Sequence, residues 1–218
     1  LGFTEENNTK IVWASKFYDE GYYDKWIEKA CTHPAEIREI YKRTSGSEKS
    51  PDWNPLQIIC EKCGKLGPTT VIDFDGKEAT YRCETAKVTW AKGCGYEGKV
   101  SPFKGRGKIP WKVEWAIKWA GFPRPDGGVG VDVEGSGKDH NAAGGSHDVS
   151  AAICEEVLEA KVPFNIPYEF FLFGGAKMSA SKGLGATAKE VSDIMPPELL
   201  RFLMGRTAPQ KPIDFNID

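Results

Sequence analysis

The order of hydrophobic and polar residues along the chain predicts a mixture of helices and short strands. Residues 14–43 carry aromatic and aliphatic side chains at helical spacing, and Pro34 divides them into two predicted helices. Further helices are predicted at 110–121, over about 15 residues from Ser146, at 188–195 and at 197–206. Strands are predicted at 69–74, 80–82, 131–134 and 170–173. Helices interleaved with strands place the chain in the α/β class.

Two pairs of cysteines indicate a metal-binding segment around the hairpin that is predicted at Asp75-Gly76. Cys60 and Cys63 have two residues between them, a spacing at which two thiolates hold one tetrahedral ion. Cys83 and Cys94 have ten residues between them, which is wider than the roughly two to four that are usual. Together the four cysteines predict a structural zinc site. The alternative is a fold that keeps four reduced thiols without metal.

The stretch from Lys99 to Lys112 is strongly basic. It holds five positively charged residues and no negatively charged one. Lys104, Arg106 and Lys108 are candidate contacts to a phosphate backbone, and the aromatic residues of the run, Phe103 and Trp111, are candidates for stacking on an unpaired base. The alternative is a solvated loop that carries no RNA.

The sequence FFLFGGAKMSASKG at 170–183 predicts a phosphate-binding loop. Its four leading apolar residues predict a buried strand, and the glycines that follow allow the backbone to turn. Lys177, Ser179, Ser181 and Lys182 then supply two ammonium groups and two hydroxyl groups, which suit an anion. The alternative is a solvated surface turn.

A second candidate ligand site follows the strand predicted at 131–134. The turn from Gly135 to His140 lies at the carboxyl end of that strand, where open α/β sheets bind their ligands. The turn does not fit the Walker pattern, because Asp132 stands where a glycine is required, and His140 breaks the dinucleotide fingerprint. His140 remains a candidate ligand contact, and the alternative is a histidine that bonds its own turn.

Three tryptophans are spaced four residues apart along the helix predicted at 110–121. Trp111, Trp115 and Trp119 form one stripe, a pattern that is more typical of core packing than of a ligand site. In the next predicted helix, His147 falls in the first turn and is expected to be solvated.

Composition and charge limit the classes of protein that fit this sequence. The 218 residues are 40% hydrophobic and 28% charged, which describes a soluble globular chain with ample material for a core. The net charge of -2 argues against indiscriminate coating of nucleic acid. No apolar run approaches a membrane span, and Leu1-Gly2-Phe3 does not begin a signal peptide. The chain has six cysteines, and four of them lie in one segment with metal-type spacing, which favours a reducing compartment, so a cytoplasmic location is expected.

Four blocks of the sequence resemble a single family. Lys177-Met178-Ser179-Ala180-Ser181 resembles the KMSKS signature of class I aminoacyl-tRNA synthetases, and its surroundings are similar to the KMSSSKG form of the class I lysyl-tRNA synthetases. The other blocks are the sequence from Arg106 to Trp115, Gly137-Lys138-Asp139-His140 with Gly144-Gly145-Ser146, and Ile166-Pro167-Tyr168-Glu169. Four matching blocks in order are far more specific than the loop alone.

The resemblance implies an α/β fold: the second half of a Rossmann-like nucleotide-binding domain with a helical and zinc-ribbon-like insertion. Residues 1–50 would be the helical part of the insertion and 51–105 the zinc-ribbon-like module. Residues 106–195 would be the second half of the catalytic domain, and 196–218 the start of a helical stem. The loop that carries the KMSKS-like sequence at 177–181 is called the signature loop.

The resemblance also implies a reaction, which is ATP-dependent activation of lysine and its transfer to tRNA(Lys). The ligands would be ATP, Mg²⁺, lysine and tRNA(Lys), beside a structural Zn²⁺. The implied ATP-binding residues are Gly137, Asp139, His140, Lys177, Met178, Ser179 and Ser181. The implied lysine-binding residues are Trp111, Trp115, His140 and Tyr168, and the implied catalytic cations are Lys177 and Lys182.

Two features depart from the family pattern. Ala180 stands in the place of the second lysine of KMSKS, so Lys182 is expected to take over its role. No H-x-G-H motif is present, although class I synthetases carry it in the first half of the nucleotide-binding fold. We therefore expect a fragment that binds ATP weakly and hardly activates lysine alone. The alternatives are a zinc-ribbon module that binds RNA without catalysis, and a nucleotidyltransferase that acts on another acid.

Overall fold

The computed structural model describes residues 12–179, 183 and 185–215, which form two compact units. The larger unit comprises Val12–Asp132 and Ala143–Pro163, and the smaller unit comprises Val133–Ala142 and the described chain from Phe164 onward. Both helices and small sheets are present, so the predicted α/β class is confirmed. None of the helices in the described ranges is both long enough and apolar enough to cross a membrane.

The larger unit begins with three helices, α1 at Ala14–Asp19, α2 at Asp24–Thr32 and α3 at Pro34–Ser45. The sequence predicted two helices here. A third arises because Gly21 adopts a left-handed conformation (φ 80°), which ends the helical run after Asp19. The predicted break before Pro34 is confirmed, with the proline in the first turn of α3. Ile27 of α2 and Ile37 of α3 are fully buried.

The larger unit then forms two small antiparallel sheets, whose strands are β1 at Gln57–Ile58, β2 at Thr69–Phe74, β3 at Ala79–Cys83, β4 at Glu97–Val100 and β5 at Gly107–Lys108. Strand β3 lies between β2 and β4, and β1 pairs with β5. The predicted hairpin is confirmed, and the Asp75 carboxylate accepts hydrogen bonds from the N–H groups of Lys77 and Glu78 in its turn. The buried Tyr81 hydroxyl accepts the N–H of Glu61, which ties the hairpin to the first cysteine pair.

Two further helical segments complete the larger unit. Helix α4 at Trp111–Gly121 agrees with the prediction, whereas the predicted helix of about 15 residues is regular only at Ser146–Ala152 (α5) and continues as a wider π-helical turn over Ile153–Val157. Gly145 occupies the N-cap position of α5.

The smaller unit is built from parallel and antiparallel strand pairs and two helices. Its strands are β6 at Val133–Gly137, β7 at Phe164–Tyr168, β8 at Phe171–Phe173, β9 at Ala176–Lys177 and β10 at Ile213–Phe215, and its helices are α6 at Ala188–Ile194 and α7 at Pro197–Arg206. Strand β6 is parallel to β7, while β8 is parallel to β10 and antiparallel to β9.

The smaller unit corrects three predictions. The strand expected at 131–134 lies at Val133–Gly137, so part of the expected turn is strand. The strand expected at 170–173 is present at Phe171–Phe173, but Phe171 and Phe173 are each 39% exposed within the described structure rather than buried. Strand β10 lies where no strand was predicted, because three residues are too short a run to carry a period-2 pattern.

Candidate functional site

A network of side-chain amides fixes the turn that follows β6. The turn is a 3₁₀ segment at Lys138–His140, directly after the strand. The buried Ser136 hydroxyl donates to Asn165 Oδ1 at 2.7 Å, and Asn165 Nδ2 donates to Asn141 Oδ1 at 2.5 Å. Asn141 Nδ2 in turn donates to the Gly137 carbonyl at 2.9 Å. The turn is thereby tied to the neighbouring parallel strand β7, which carries Asn165.

The structure brings the 3₁₀ turn and the signature loop together through charged side chains. Lys177 Nζ lies 2.6 Å from Asp139 Oδ2, and Lys138 Nζ lies 2.8 Å from Glu169 Oε1. Both ammonium groups also lie over the ring of Phe170, at 3.6 Å from its centroid for Lys177 and 5.1 Å for Lys138. The hydrogen bond from Lys138 lowers the pKa of Glu169 below its usual value, so this carboxylate is ionised at neutral pH.

Other predicted nucleotide-binding residues lie in the same unit. Met178 donates its N–H to the Phe171 carbonyl, and its side chain packs against Gly185, where an added Cβ would come within 2.7 Å of Met178 Cγ. His140 is exposed on the turn. Ser179 is partly buried. Ser181 and Lys182, which were expected to bind phosphate, lie outside the described residues.

Tyr168, a predicted lysine contact, lies on β7 beside two glycines of β6. A Cβ added to Gly135 or Gly137 would lie 3.6 or 3.9 Å from the Tyr168 ring, so the ring covers both positions closely. Tyr168 also lines a cavity of about 380 Å³, together with Ile166, Met204 and other residues of the smaller unit. The ring is 44% exposed, which leaves it accessible from this cavity.

The solvent exposure of the three tryptophans of α4 decreases along the helix. Trp111 is 50% exposed, Trp115 is half-buried and Trp119 is fully buried. The ring centroids of Trp115 and Trp119 are 5.0 Å apart. The core interpretation therefore holds for Trp119, whereas the predicted lysine contacts Trp111 and Trp115 keep accessible surface.

His147 was expected to be solvated, and this expectation is wrong. Its side chain is only 16% exposed and packs against Trp115 and Trp119, with ring centroids 6.1 and 5.4 Å apart. Its Nε2 is buried and has no hydrogen-bond partner among the described residues. The sequence carried no signal for this contact, because position in the first helical turn says nothing about a neighbouring helix.

The four cysteines predicted to bind metal converge in the larger unit. Their sulfur atoms all lie within 4.8 Å of one another, and the Cys60–Cys94 and Cys63–Cys83 sulfur distances are both 3.7 Å without a disulfide. A Zn–S bond of about 2.3 Å puts the sulfur atoms of a tetrahedral site about 3.8 Å apart. The donor set therefore fits one tetrahedral zinc ion. Burial would raise the pKa of the Cys60 thiol, but N–H groups of the knuckle outweigh it and lower that pKa to about 7.

The basic stretch is only partly available to an anion. Lys104, Arg106 and Lys108, the predicted tRNA contacts, are exposed. Lys99 is ion-paired with Asp75 at 2.7 Å. Phe103 is half-buried, with its ring centroid 6.4 Å from that of Phe74, so it is less available for stacking than the sequence indicated.

Residues 4–218 match the family described as tRNA synthetases class I (K). The chain belongs to this family. It is 40% identical over 210 residues to the lysine–tRNA ligase of Methanocaldococcus jannaschii. That alignment covers 94% of this chain and 37% of the relative. It is also 35% identical over 208 residues to the lysine–tRNA ligase of Methanosphaera stadtmanae and 34% identical over 208 residues to that of Thermoplasma volcanium. Those alignments cover 95% of this chain in both cases, and 36% and 38% of the relatives.

The chain thus spans somewhat more than a third of the length of the curated relatives that it matches. The class I (K) match extends over the larger unit with its cysteine cluster as well as over the smaller unit with the signature loop.

Two residues that organise the 3₁₀ turn, Asn141 and Asn165, were not predicted from the sequence as part of the site. Asn141 directly follows the Gly137–His140 block, and that adjacency is the one signal that pointed to it.

Proposed function

We propose that this chain is a portion of a class I lysyl-tRNA synthetase, an ATP-dependent enzyme that activates lysine and transfers it to tRNA(Lys) in the cytoplasm. Family membership supports the class of enzyme, and the names of the relatives support lysine as the amino acid. The observation that carries the proposal is the contact between Asp139 and Lys177. These residues come from two separate signature blocks, 38 positions apart, and meet at 2.6 Å.

The chemistry asks for positioning and charge neutralisation rather than for a strong acid or base. The carboxylate of lysine attacks the α-phosphate of ATP and displaces pyrophosphate, so negative charge develops on the phosphate oxygens. Lys177 and Lys182 would supply cationic hydrogen-bond donors for that charge, and Mg²⁺ would enter with ATP. Gly137, Met178, Ser179 and Ser181 complete the proposed ATP-binding set.

Asp139 and Lys177 would exchange partners when ATP binds. Phosphate oxygens would replace the Asp139 carboxylate as the partner of the Lys177 ammonium. The freed Asp139 carboxylate would then accept hydrogen bonds from ribose hydroxyls, with His140 beside it on the same turn. Both side chains are about half exposed, so this exchange requires no unpacking of a core.

We also propose the lysine contacts that the family resemblance implied, which are Trp111, Trp115, His140 and Tyr168. Trp111, Trp115 and Tyr168 are exposed or half-buried, and aromatic faces of this kind enclose methylene groups and attract an ammonium group. The exposed Lys104, Arg106 and Lys108 would contact the phosphates of tRNA(Lys).

We further propose the finer architecture that the family resemblance implied. Residues 106–195 would form the second half of a Rossmann-like domain, 196–218 the start of a helical stem, 1–50 the helical part of an insertion and 51–105 its zinc ribbon. Zinc held by Cys60, Cys63, Cys83 and Cys94 would be structural, since four thiolates leave no open coordination position.

The decisive test is lysine-dependent exchange of pyrophosphate into ATP. It is made with the chain alone and with a reconstituted enzyme, in which the chain is joined to the portions of the Methanocaldococcus relative that it does not match. We expect exchange from the reconstituted enzyme and almost none from the chain alone, which should bind ATP only weakly. Exchange that does not depend on lysine would instead support a nucleotidyltransferase. No exchange at all, with RNA binding retained, would support an RNA-binding module without catalysis.

A further inference from the structure

The ten residues between Cys83 and Cys94 exceed the number that a zinc knuckle needs. Gly93 is buried, and a Cβ added to it would lie 2.1 Å from the Glu84 carbonyl oxygen, so the two ends of this segment pack directly on each other. We call residues 84–93 the knuckle loop. Most of the residues between its ends are exposed, so the loop offers surface to a ligand.

The knuckle loop presents one large aromatic side chain to solvent. Trp90 is 75% exposed, the largest exposed fraction among the large hydrophobic residues in the described ranges. Its indole lies against the buried Gly67, where an added Cβ would come within 2.1 Å of the ring. The indole therefore contacts the protein at Gly67, while most of its surface remains accessible for stacking on a base.

Three lysines lie close to Trp90 or Gly67 along the chain: Lys87 and Lys92 belong to the knuckle loop, and Lys65 precedes Gly67 by two residues. Lys65 Nζ donates to the Lys92 carbonyl at 2.9 Å, and Lys87 Nζ donates to the Thr69 carbonyl at 2.5 Å. Neither ammonium is paired with a carboxylate within the described part of the chain. The Glu84 carboxylate, at the start of the knuckle loop, accepts a hydrogen bond from Thr70 Oγ1. Lys65 and Lys87 therefore carry positive charge that no carboxylate of the described residues pairs with directly.

We propose that the knuckle loop binds single-stranded RNA, with an unpaired base on Trp90 and adjacent phosphates on Lys65, Lys87 and Lys92. An exposed aromatic ring with lysines near it in the chain matches a nucleotide, which combines a planar base with an anionic phosphate. These residues differ from the predicted tRNA contacts Lys104, Arg106 and Lys108. The inference does not rest on the catalytic proposal, since it needs neither ATP nor the signature loop.

The test measures binding of the zinc-loaded 218-residue chain to a fluorescently labelled, unstructured RNA of about ten nucleotides. Trp90→Ala should weaken the affinity about tenfold, because one base loses its stacking partner, while Trp90→Phe should keep most of it. Gly67→Ala should also weaken binding, because the new Cβ displaces the indole. The matched control is Trp13→Ala, which removes a tryptophan that is 66% exposed in the same unit.

The lysines are tested through the salt dependence of binding. Lys65→Ala should reduce the slope of log affinity against log salt concentration by about 0.7, the value for one phosphate contact on a single strand. The inference is overturned if Trp90→Ala binds as tightly as the parent chain, or loses no more affinity than Trp13→Ala. It is equally overturned if a duplex RNA binds as well as the single strand. Unchanged zinc content in each variant establishes that folding is retained, and pyrophosphate exchange tests the catalytic proposal separately.

Discussion

Lys177 Nζ lies 2.6 Å from Asp139 Oδ2, the same distance that separates Lys189 Nζ from Asp193 Oδ2 on helix α6. The two ion pairs differ in what they connect. The pair on α6 joins residues four apart on an exposed helical surface, and such pairs contribute little to stability. The Lys177 pair joins two signature blocks, and the Lys177 ammonium also lies over the Phe170 ring. The two pairs therefore offer a matched comparison in which only one member is expected to matter for catalysis.

Lys177→Ala should lower the rate of lysine-dependent pyrophosphate exchange by the reconstituted enzyme about 100-fold or more, because a preorganised donor to the transition state is removed. Lys189→Ala should leave the rate unchanged, since Lys189 is 81% exposed and contacts only its helical neighbour in the described structure. Equal rates for both variants would remove the main support for the proposed role of the signature loop.

Phe170 is expected to hold the Lys177 ammonium in place through its ring, 3.6 Å away. Phe170→Leu keeps an apolar side chain but loses the attraction between ring and cation, which amounts to about 0.5–2 kcal/mol. Exchange should slow about 2- to 30-fold in this variant, and Phe170→Tyr should restore it. If leucine and tyrosine behave alike, the contact contributes packing only.

The cysteine cluster predicts one tightly bound zinc ion per chain. Cys63→Ser removes one thiolate and should abolish stoichiometric zinc binding, as measured by metal analysis of the purified chain. A strong chelator should have the same effect on the parent chain and should unfold the hairpin of β2 and β3, because the metal closes that part of the fold.

Cys154 provides the control for this experiment, because it is buried in the same unit but lies outside the cluster. Cys154→Ala should keep one zinc per chain, although removal of a buried side chain lowers stability somewhat. Zinc that stays bound in Cys63→Ser, or a hairpin that survives chelation, would favour the alternative of a fold with four reduced thiols.

The sequence predicted correctly those structural features that depend on one short segment of the chain. Asp75-Gly76 specified the β2–β3 hairpin, and Pro34 specified the start of α3, because turn and cap chemistry depend on a few adjacent residues. The cysteine spacing predicted a convergence of four sulfur atoms, since thiolates in a knuckle have few other arrangements.

The remaining features depend on partners that are distant in sequence, and no period or spacing encodes them. His147 is buried because α4 brings Trp115 and Trp119 against it. Asn165 matters because β7 runs parallel to β6 and faces Ser136 and Asn141. The contact of Asp139 with Lys177 was expected only as far as both belonged to one implied ATP site. Neither the ion pair itself nor the position of the Phe170 ring against the Lys177 ammonium could be predicted from the sequence.

Two tyrosines of the larger unit, the half-buried Tyr18 and the buried Tyr23, make its stability sensitive to alkaline pH. The Tyr18 hydroxyl donates to Glu114 Oε1 at 2.8 Å, and burial together with the Glu114 charge raises the pKa of Tyr18 far above its usual value. Burial, with a further contribution from Glu114, raises the pKa of Tyr23 to about 12. In the unfolded chain both hydroxyl groups titrate near a pKa of about 10. Raised pKa values in the folded state stabilise the fold fully below about pH 10, and this contribution is lost as the pH rises further.

We therefore expect the free energy of unfolding to fall between about pH 9 and about pH 11, because the unfolded chain releases protons that the folded chain retains. Tyr18→Phe removes one such hydroxyl and should flatten this fall, at the cost of the hydrogen bond to Glu114 near neutral pH. Tyr22→Phe is the control, since Tyr22 is 49% exposed. Urea titrations at both pH values measure the effect. A parent chain and a Tyr18→Phe variant with the same pH dependence would mean that the burial of Tyr18 does not govern alkaline stability.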